Sequence, residues 1–212
     1  MSSLGTLALL GAGGHGKVVA DAALLAGWKH VVFFDDAWPQ MQVNGHWPVV
    51  GDMAALLARL QDFDGVLVSI GHCHIRWQKH QALADAGAAL ATVVHPRACV
   101  SPYAQLGAGT VVMAGAVVNV DARIGPACIV NTGASVDHDC ALAHGVHVCP
   151  GAHLSGNVQV GDCSWIGVGA AVRQGMRIGA GVTVGAGAVV VKEIPDGLTV
   201  VGNPAAPLVR AH

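Results

Sequence analysis

Aromatic residues make up only 4% of this 212-residue chain, and charged residues only 11%. Large rings dominate the buried area of most cores, so a core built here is filled by small and β-branched side chains instead. The charges form no basic stripe. Eleven Lys and Arg stand against 13 Asp and Glu, a formal charge of -2, which argues against a nucleic-acid footprint. No purely apolar run reaches the roughly 18 residues of a membrane span. Gly, His, Asp and Asn interrupt every candidate, so the mean hydropathy of +0.53 does not indicate a membrane helix. The first apolar stretch has no basic region before it and runs straight into a Gly-rich turn, unlike a secretory signal. The six cysteines lack CxxC spacing and read as reduced thiols of a cytoplasmic protein.

What the chain has in abundance is a period. Every sixth residue from Val94 to Val190 is Val, Ile or Leu, and two residues before each stands a mostly small one, such as Ala98, Ala116, Ala122 or Cys128. Gly often follows the aliphatic residue, as at Gly107, Gly125, Gly161, Gly167, Gly179 and Gly185. A period of six fits no helix. It fits a hexapeptide parallel β-helix, with one short strand and one corner per hexad and three hexads per 18-residue coil. The aliphatic residue and the small one before it point inward, because strand side chains alternate. Coils stack at about 4.8 Å.

Residues 1–92 lack this period. "LALLGAGGHGKVVADAALLAG" reads as strand, Gly-rich turn and helix, with Gly11, Gly13 and Gly16 matching GxGxxG. "HVVFFDD" reads as a second strand ending in Asp35 and Asp36, and "DMAALLARL" as a helix with Asp52 as N-cap. "GVLVSIG" is a third strand, "IRWQKHQALADAG" a helix ended by Gly87, and "ALATVV" a last strand entering the coils. The expectation is an α/β Rossmann-like domain over 1–94 followed by an all-β parallel β-helix over 95–212, with the boundary near His95-Pro96. The Gly-rich turn and the acids after the second strand suit a phosphate and a ribose or pyrimidine. The domain is too short for both halves of a dinucleotide fold, so a nucleotide attached to something else fits better than NAD.

In the repeat region "NTGASVDHDC" concentrates polar groups on a surface otherwise poor in charge. His138 stands between Asp137 and Asp139, outward at a corner, and Gly156 one coil on leaves open space above it. His147 points outward from mid-strand, with Trp165 stacked above. An outward imidazole beside carboxylates is suited to general base catalysis. Ser135 is no closer to an activating base than a substrate amine would be. A metal site is the competing reading of His138, Cys140, His144, His147 and Cys149. However, Cys140 is inward, and His138 and His144 sit on successive corners, so one chain cannot close a tetrahedral site, and a site shared between subunits is the form a metal reading would take. No metal is expected.

Taken together, "GAGGHGKVV", "FFDD", "IG...IR" at 70–76, "NTGASVDHDC", "PGAHLSGNV" and "GAGAVVVKEIPDGLTVVGNPA" resemble the bacterial sialic-acid O-acetyltransferase family. The closest likeness within it is to the nucleotide-sugar amino N-acetyltransferases of the bacillosamine and perosamine pathways. The resemblance implies a left-handed β-helix, a homotrimer with acetyl-CoA between adjacent subunits, and a nucleotide sugar held by the N-terminal domain. Outward Val111, Val117 and Ala171 would need cover in such a trimer. The resemblance also implies roles for single residues: His138 as catalytic base, Asp139 as its orienting acid, and Asn131 as an acceptor-sugar contact. His147 and Gly156 match donor-side positions, with Gly167, Val168, Gly185 and Ala186 along the pantetheine path. Gly13, Gly14, His15, Asp35, Asp36 and Gly71 match the nucleotide-sugar site. Two positions depart from the family. "IGHCHIR" places His72 and Cys73 where relatives often have Asn, and Ala206 stands where relatives carry Lys or Arg, leaving Arg210 as a substitute contact to the CoA phosphates.

The resulting expectation is acetyl transfer from acetyl-CoA to the amine of a nucleotide-linked sugar, UDP-4-amino above others. O-acetylation of a sugar is the alternative. A zinc lyase of the γ-carbonic-anhydrase type and a non-catalytic nucleotide-sugar scaffold are rivals from other classes.

Overall fold

The structure is a computed structural model that describes residues 4–208. It separates into two compact units at Pro96/Arg97.

The first unit is built on three parallel strands, β1 (Leu4–Leu10), β2 (Trp28–Phe34) and β5 (Gly65–Val68), in the order β2-β1-β5. A small hairpin of β3 (Val43–Asn44) and β4 (Trp47–Pro48) follows β2. The helices are α1 (Gly14–Leu25), α2 (Met53–Leu57) and α3 (Cys73–Asp85). Ala8, Leu10, Phe34, Leu56, Val66, Val68 and Leu83 form one apolar core between strands and helices. The helix ends follow the sequence. Asp52 caps α2 by accepting the Ala55 N–H at 2.8 Å, and Gly87 follows α3 with φ +78°. At His72 the imidazole Nδ1 faces the Ile75 N–H at 3.4 Å and serves as the α3 N-cap. Helix α2 is shorter than expected and gives way to a 3-10 turn at Leu60–Asp62. The last expected strand, "ALATVV", is reduced to a bridge at Leu90 beside Val66 and a two-residue strand at Val93–Val94.

The second unit is the solenoid. Two-residue strands recur every six residues from Cys99–Val100 to Val189–Val190, and each as far as Ala171–Val172 pairs in parallel with the strand 18 residues on. Three faces result. Face I runs through Val111, Ile129, His147, Trp165 and Thr183. Face II runs through Cys99, Val117, Ser135, His153, Ala171 and Val189, and face III through Gln105, Arg123, Ala141, Gln159 and Arg177. The inward aliphatic column is buried from Val112 to Val190, and so is the small column that precedes it. Two hydroxyls in that small column are satisfied internally. Thr110 Oγ1 donates to the Gly125 carbonyl at 2.9 Å, and Ser164 Oγ to that of Gly179 at 2.7 Å.

A second column was not read from the sequence. Every sixth residue from Gly109 to Gly187 has φ between +54° and +72°, including Asp121, Ala127, Asp139, Asn157 and Cys163. The left-handed conformation is needed at each corner, and glycine fills most of the positions because it adopts it without strain. The glycines after the aliphatic residue have another cause. A Cβ at Gly107, Gly125, Gly161 or Gly167 would overlap backbone atoms of the next coil.

Gly133 separates these effects, having φ +64° and no atom within 4 Å of an added Cβ. Gly133→Ala is expected to lower stability in chemical denaturation by about 1–2 kcal/mol through backbone strain alone. Gly133→Asn should lose less, because Asn tolerates this region.

Candidate active site

In the first unit the strand order reverses at β1, with β2 on one side and β5 on the other. Ligands of open α/β sheets bind outside the carboxyl ends of strands at such a switch point. A cavity of about 390 Å³ lies there, lined by Gly11, Gly13, Gly14, His15, Asp35, Asp36, Ser69, Ile70, Gly71 and Lys79 among others. It gathers all six residues expected of this domain. Added Cβ atoms at Gly13, Gly14 or Gly71 would meet nothing within 4 Å, and none of the three has a positive φ. Their lack of side chains leaves space at the cavity that no protein atom uses. Gly11 and Gly16 are glycines for internal reasons: Gly11 has φ +112°, and a Cβ at Gly16 would press into Phe33.

Asp35 turns out to be a clamp. Its carboxylate accepts the Ala12 N–H at 2.7 Å and the Ala37 N–H at 2.9 Å, tying the Gly-rich turn to the end of β2. Asp36 is more exposed and pairs with Lys79 Nζ at 2.8 Å, and this hydrogen bond holds its carboxyl below the usual range. His15 is pushed down to about 4, first by burial and then by the nearby Arg76 charge, so it is a neutral ring at neutral pH. Arg76 itself is buried and donates to the carbonyls of Ile70 and Gly71. Sequence reasoning missed Lys79, Ser69 and Asn44. Ser69 Oγ donates to the Gly11 carbonyl at 2.7 Å, and Asn44 Nδ2 to that of Gly13 at 3.3 Å. No periodicity marks these three; only a buried polar residue in an apolar strand hints at Ser69.

In the solenoid the expected residues fall in two places. His138, Asp139 and Gly156 lie on the edge between faces II and III. His138 Nδ1 and Asp139 Oδ2 are 2.7 Å apart. Asp139 occupies the left-handed corner position with φ +59°, and this directs its carboxylate back onto the preceding ring. Asp137 has a different task. Its Oδ1 accepts the His138 backbone N–H and the Asn119 side-chain amide, both at 2.8 Å, and the first of these chiefly depresses its pKa. The His138 pKa is raised above its ordinary 6.5, mainly by the hydrogen bond to Asp139. The space expected above His138 is taken by its own ring: a Cβ at Gly156 would lie 2.5 Å from His138 Cε1.

Asn131, Gly167, Val168, Gly185 and Ala186 lie on the edge between faces I and II, and His147 on face I beside them. Face II separates this group from His138, so one chain presents the two groups apart. Val168 and Ala186 are exposed on successive coils. The glycine at 167 is required by coil stacking, and a Cβ at Gly185 would press on Val201. His147 is oriented outward but is only 7% exposed. Its Nε2 faces the Asn131 amide at 3.1 Å, and Trp165 stands edge-on.

Two expectations need correction. Val111 is already buried within the chain and calls for no cover, while Val117 and Ala171 are half-buried. Ser135 does have a base close by, since its Oγ lies 2.8 Å from His153 Nδ1. His144 is engaged with Asp162 at 2.9 Å. Cys140 is inward as expected, its Sγ donating to the Ser155 carbonyl at 3.2 Å. Among the described residues no group of three or more His, Cys, Asp or Glu side chains is arranged to hold a metal ion. No described helix is long and apolar enough to cross a membrane. Arg210 lies outside the described residues. A larger groove of about 750 Å³ runs along face III past Arg123 and Arg177 and contains none of the expected site residues.

Residues 6–83 match the PglD N-terminal domain family. No curated protein matches the chain. Among solved structures, the acetyltransferase domain of PglB from Neisseria gonorrhoeae FA1090, in complex with acetyl coenzyme A, is 49% identical, with a TM-score of 0.91 over 96% of this chain and 98% of that one. PerB from Caulobacter crescentus, in complex with CoA and GDP-perosamine, is 40% identical, with a TM-score of 0.92 over 98% and 100% of the two chains. WeeI from Acinetobacter baumannii AYE is 28% identical, with a TM-score of 0.86 over 96% and 100%. A shared fold at this identity and near-complete mutual coverage show the family. The chain belongs to the acetyl-CoA-dependent nucleotide-sugar N-acetyltransferases that include the PglB acetyltransferase domain and PerB.

Proposed function

We propose that this protein transfers the acetyl group of acetyl-CoA to the amino group of a nucleotide-linked amino sugar, a UDP-4-amino sugar as first candidate, with His138 as general base. The observation that carries the reading is the His138–Asp139 pair: Nδ1 is held at 2.7 Å by a carboxylate, leaving Nε2 to take a proton. The neutral amine attacks the thioester carbonyl while Nε2 removes its proton. Asp139 fixes the ring orientation and stabilises the imidazolium. Backbone N–H groups at the coil corners would hold the oxyanion, and collapse expels the CoA thiolate, which the imidazolium protonates. Atoms and charge balance without a covalent enzyme intermediate.

The acceptor nucleotide belongs to the first unit. Support comes from the open faces of Gly13, Gly14 and Gly71 at a strand switch point, the α1 N-terminus, and the Asp36–Lys79 pair. Asp35 contributes by holding the turn and His15 as a neutral hydrogen-bonding ring. The donor belongs to the solenoid, along Gly156, His147, Gly167, Val168, Gly185 and Ala186. We place the catalytic centre in a homotrimer, because the two solenoid edges carry separate groups of site residues that a neighbouring subunit would bring together. A GDP-perosamine N-acetyltransferase from Caulobacter crescentus has been crystallised with one histidine replaced by Asn or Ala, in complex with CoA and GDP-perosamine.

Release of CoA measured over UDP-, GDP- and dTDP-linked amino sugars tests the function, and acetylation of none of them would overturn it. His138→Ala should lower kcat by about 10²–10⁴-fold with both KM values little changed. The base acts in its neutral form, so kcat should fall as pH drops through the raised His138 pKa. Asp139→Asn removes the main cause of the raise and should move that acid limb to lower pH, with a reduced plateau. Gly156→Ala should displace the His138 ring and lower kcat while leaving the acceptor KM unchanged.

A further inference from the structure

Asn131 stands where the family likeness suggests a contact to the acceptor sugar, yet its amide is already engaged on both sides. Oδ1 accepts the Thr132 backbone N–H at 2.8 Å and lies 3.4 Å from Thr132 Oγ1. A backbone N–H can only donate, so the oxygen end of the amide faces Thr132 and the NH2 end faces away. That end meets His147 Nε2 at 3.1 Å. An amide NH2 also can only donate. Nε2 must therefore be the acceptor, which puts the proton of the neutral ring on Nδ1. The ring has little freedom to turn. It is 7% exposed, in register between Ile129 and Trp165 on neighbouring coils, and the Trp165 ring stands edge-on at 6.4 Å. From Thr132 through Asn131 to His147, each hydrogen bond has one permitted direction.

We propose that Asn131 is a positioning residue for the donor half of the reaction. It fixes His147 in the Nδ1–H tautomer, and it acts on acetyl-CoA through that ring and not by touching the acceptor sugar. The proposal rests on the reading of His147 as a donor-side residue. It also distinguishes an amide from a carboxylate at this position. A carboxylate could accept from Thr132 as well but would need a donor at Nε2, and so would demand the opposite tautomer.

Steady-state kinetics of Asn131→Ala, His147→Ala and the double variant, with each substrate varied in turn, provide the test. Asn131→Ala should raise the acetyl-CoA KM by about 3- to 10-fold, the loss of one hydrogen bond, and leave the acceptor KM within about twofold. In the His147→Ala background the same change should add nothing, because its partner is gone. A larger rise in acceptor KM than in acetyl-CoA KM, or additive effects of the two changes, would overturn the assignment. Nitrogen-15 spectra of the histidine rings give a readout that needs no substrate. The wild-type His147 should show Nε2 as the unprotonated nitrogen, and Asn131→Asp should move the proton to it. A protonated Nε2 in the wild type, or no change in the variant, would refute the tautomer assignment. If no nucleotide sugar is turned over, the functional reading fails while the spectra still decide the geometry.

Discussion

The left-handed corner at every sixth residue is the constraint on which the solenoid depends. It turns the chain after each two-residue strand, closes a coil in 18 residues, and so sets every side chain above the one 18 positions earlier. The polar chemistry of the domain follows that spacing. Asn119 meets Asp137, Ser135 meets His153, and His144 meets Asp162. His138 lies against Gly156, and His147 against Trp165. In an ordinary globular domain such pairs would be scattered over sequence separations. Here the sequence of one coil is read directly against the next, and the contact between Asn131 and His147, 16 apart, runs diagonally and links an edge to a face.

The same corner ties fold to site. Asp139 occupies a left-handed position of the kind that glycine fills at most of the other corners. A non-glycine residue there is uncommon, and Asp is among the few that accept it readily. The strained corner is what turns the carboxylate back onto the ring of its own neighbour, so the geometric requirement of the coil and the orientation of the proposed base are met by one residue. Asp137, two residues earlier and not at the corner, can only reach the backbone of His138 and the coil below. The acid-His-acid cluster thus divides its labour by backbone conformation, which a reading of residue types alone cannot see.

What was legible in the sequence was whatever is periodic. The inward aliphatic column fixed the solenoid and its coil length, because burial in a triangular core leaves no alternative residue type. The Asp52 cap and the Gly87 stop were legible for local reasons. The left-handed column was hidden, since Asp, Asn, Ala and Cys share it with glycine. Gly167 was read as a donor contact although the next coil already demands glycine there, so its identity carries no information about a ligand. Gly13, Gly14 and Gly71 are the opposite case: no fold requirement explains them, and their reading as ligand positions gains weight from that. Lys79, Ser69 and Asn44 escaped notice because each acts once, through a contact across the sheet or from a hairpin, without a repeat to announce it.

Histidine 15 and histidine 138 show how environment selects a base. Both are the same side chain, and both stand in regions expected to meet substrate. His15 is sunk beside the buried Arg76, and its pKa of about 4 leaves it a poor acceptor for an amine proton at neutral pH. His138 is solvent-facing and hydrogen-bonded to a carboxylate, and its basicity is raised. General base catalysis favours a pKa near the working pH, and the two environments move the rings in opposite directions from it. A buried neutral imidazole can still orient a ligand by hydrogen bonding, without bringing a charge that desolvation would oppose. The chain therefore keeps the histidine of the first unit neutral, through burial beside Arg76, and the solenoid-edge histidine basic, through the Asp139 carboxylate.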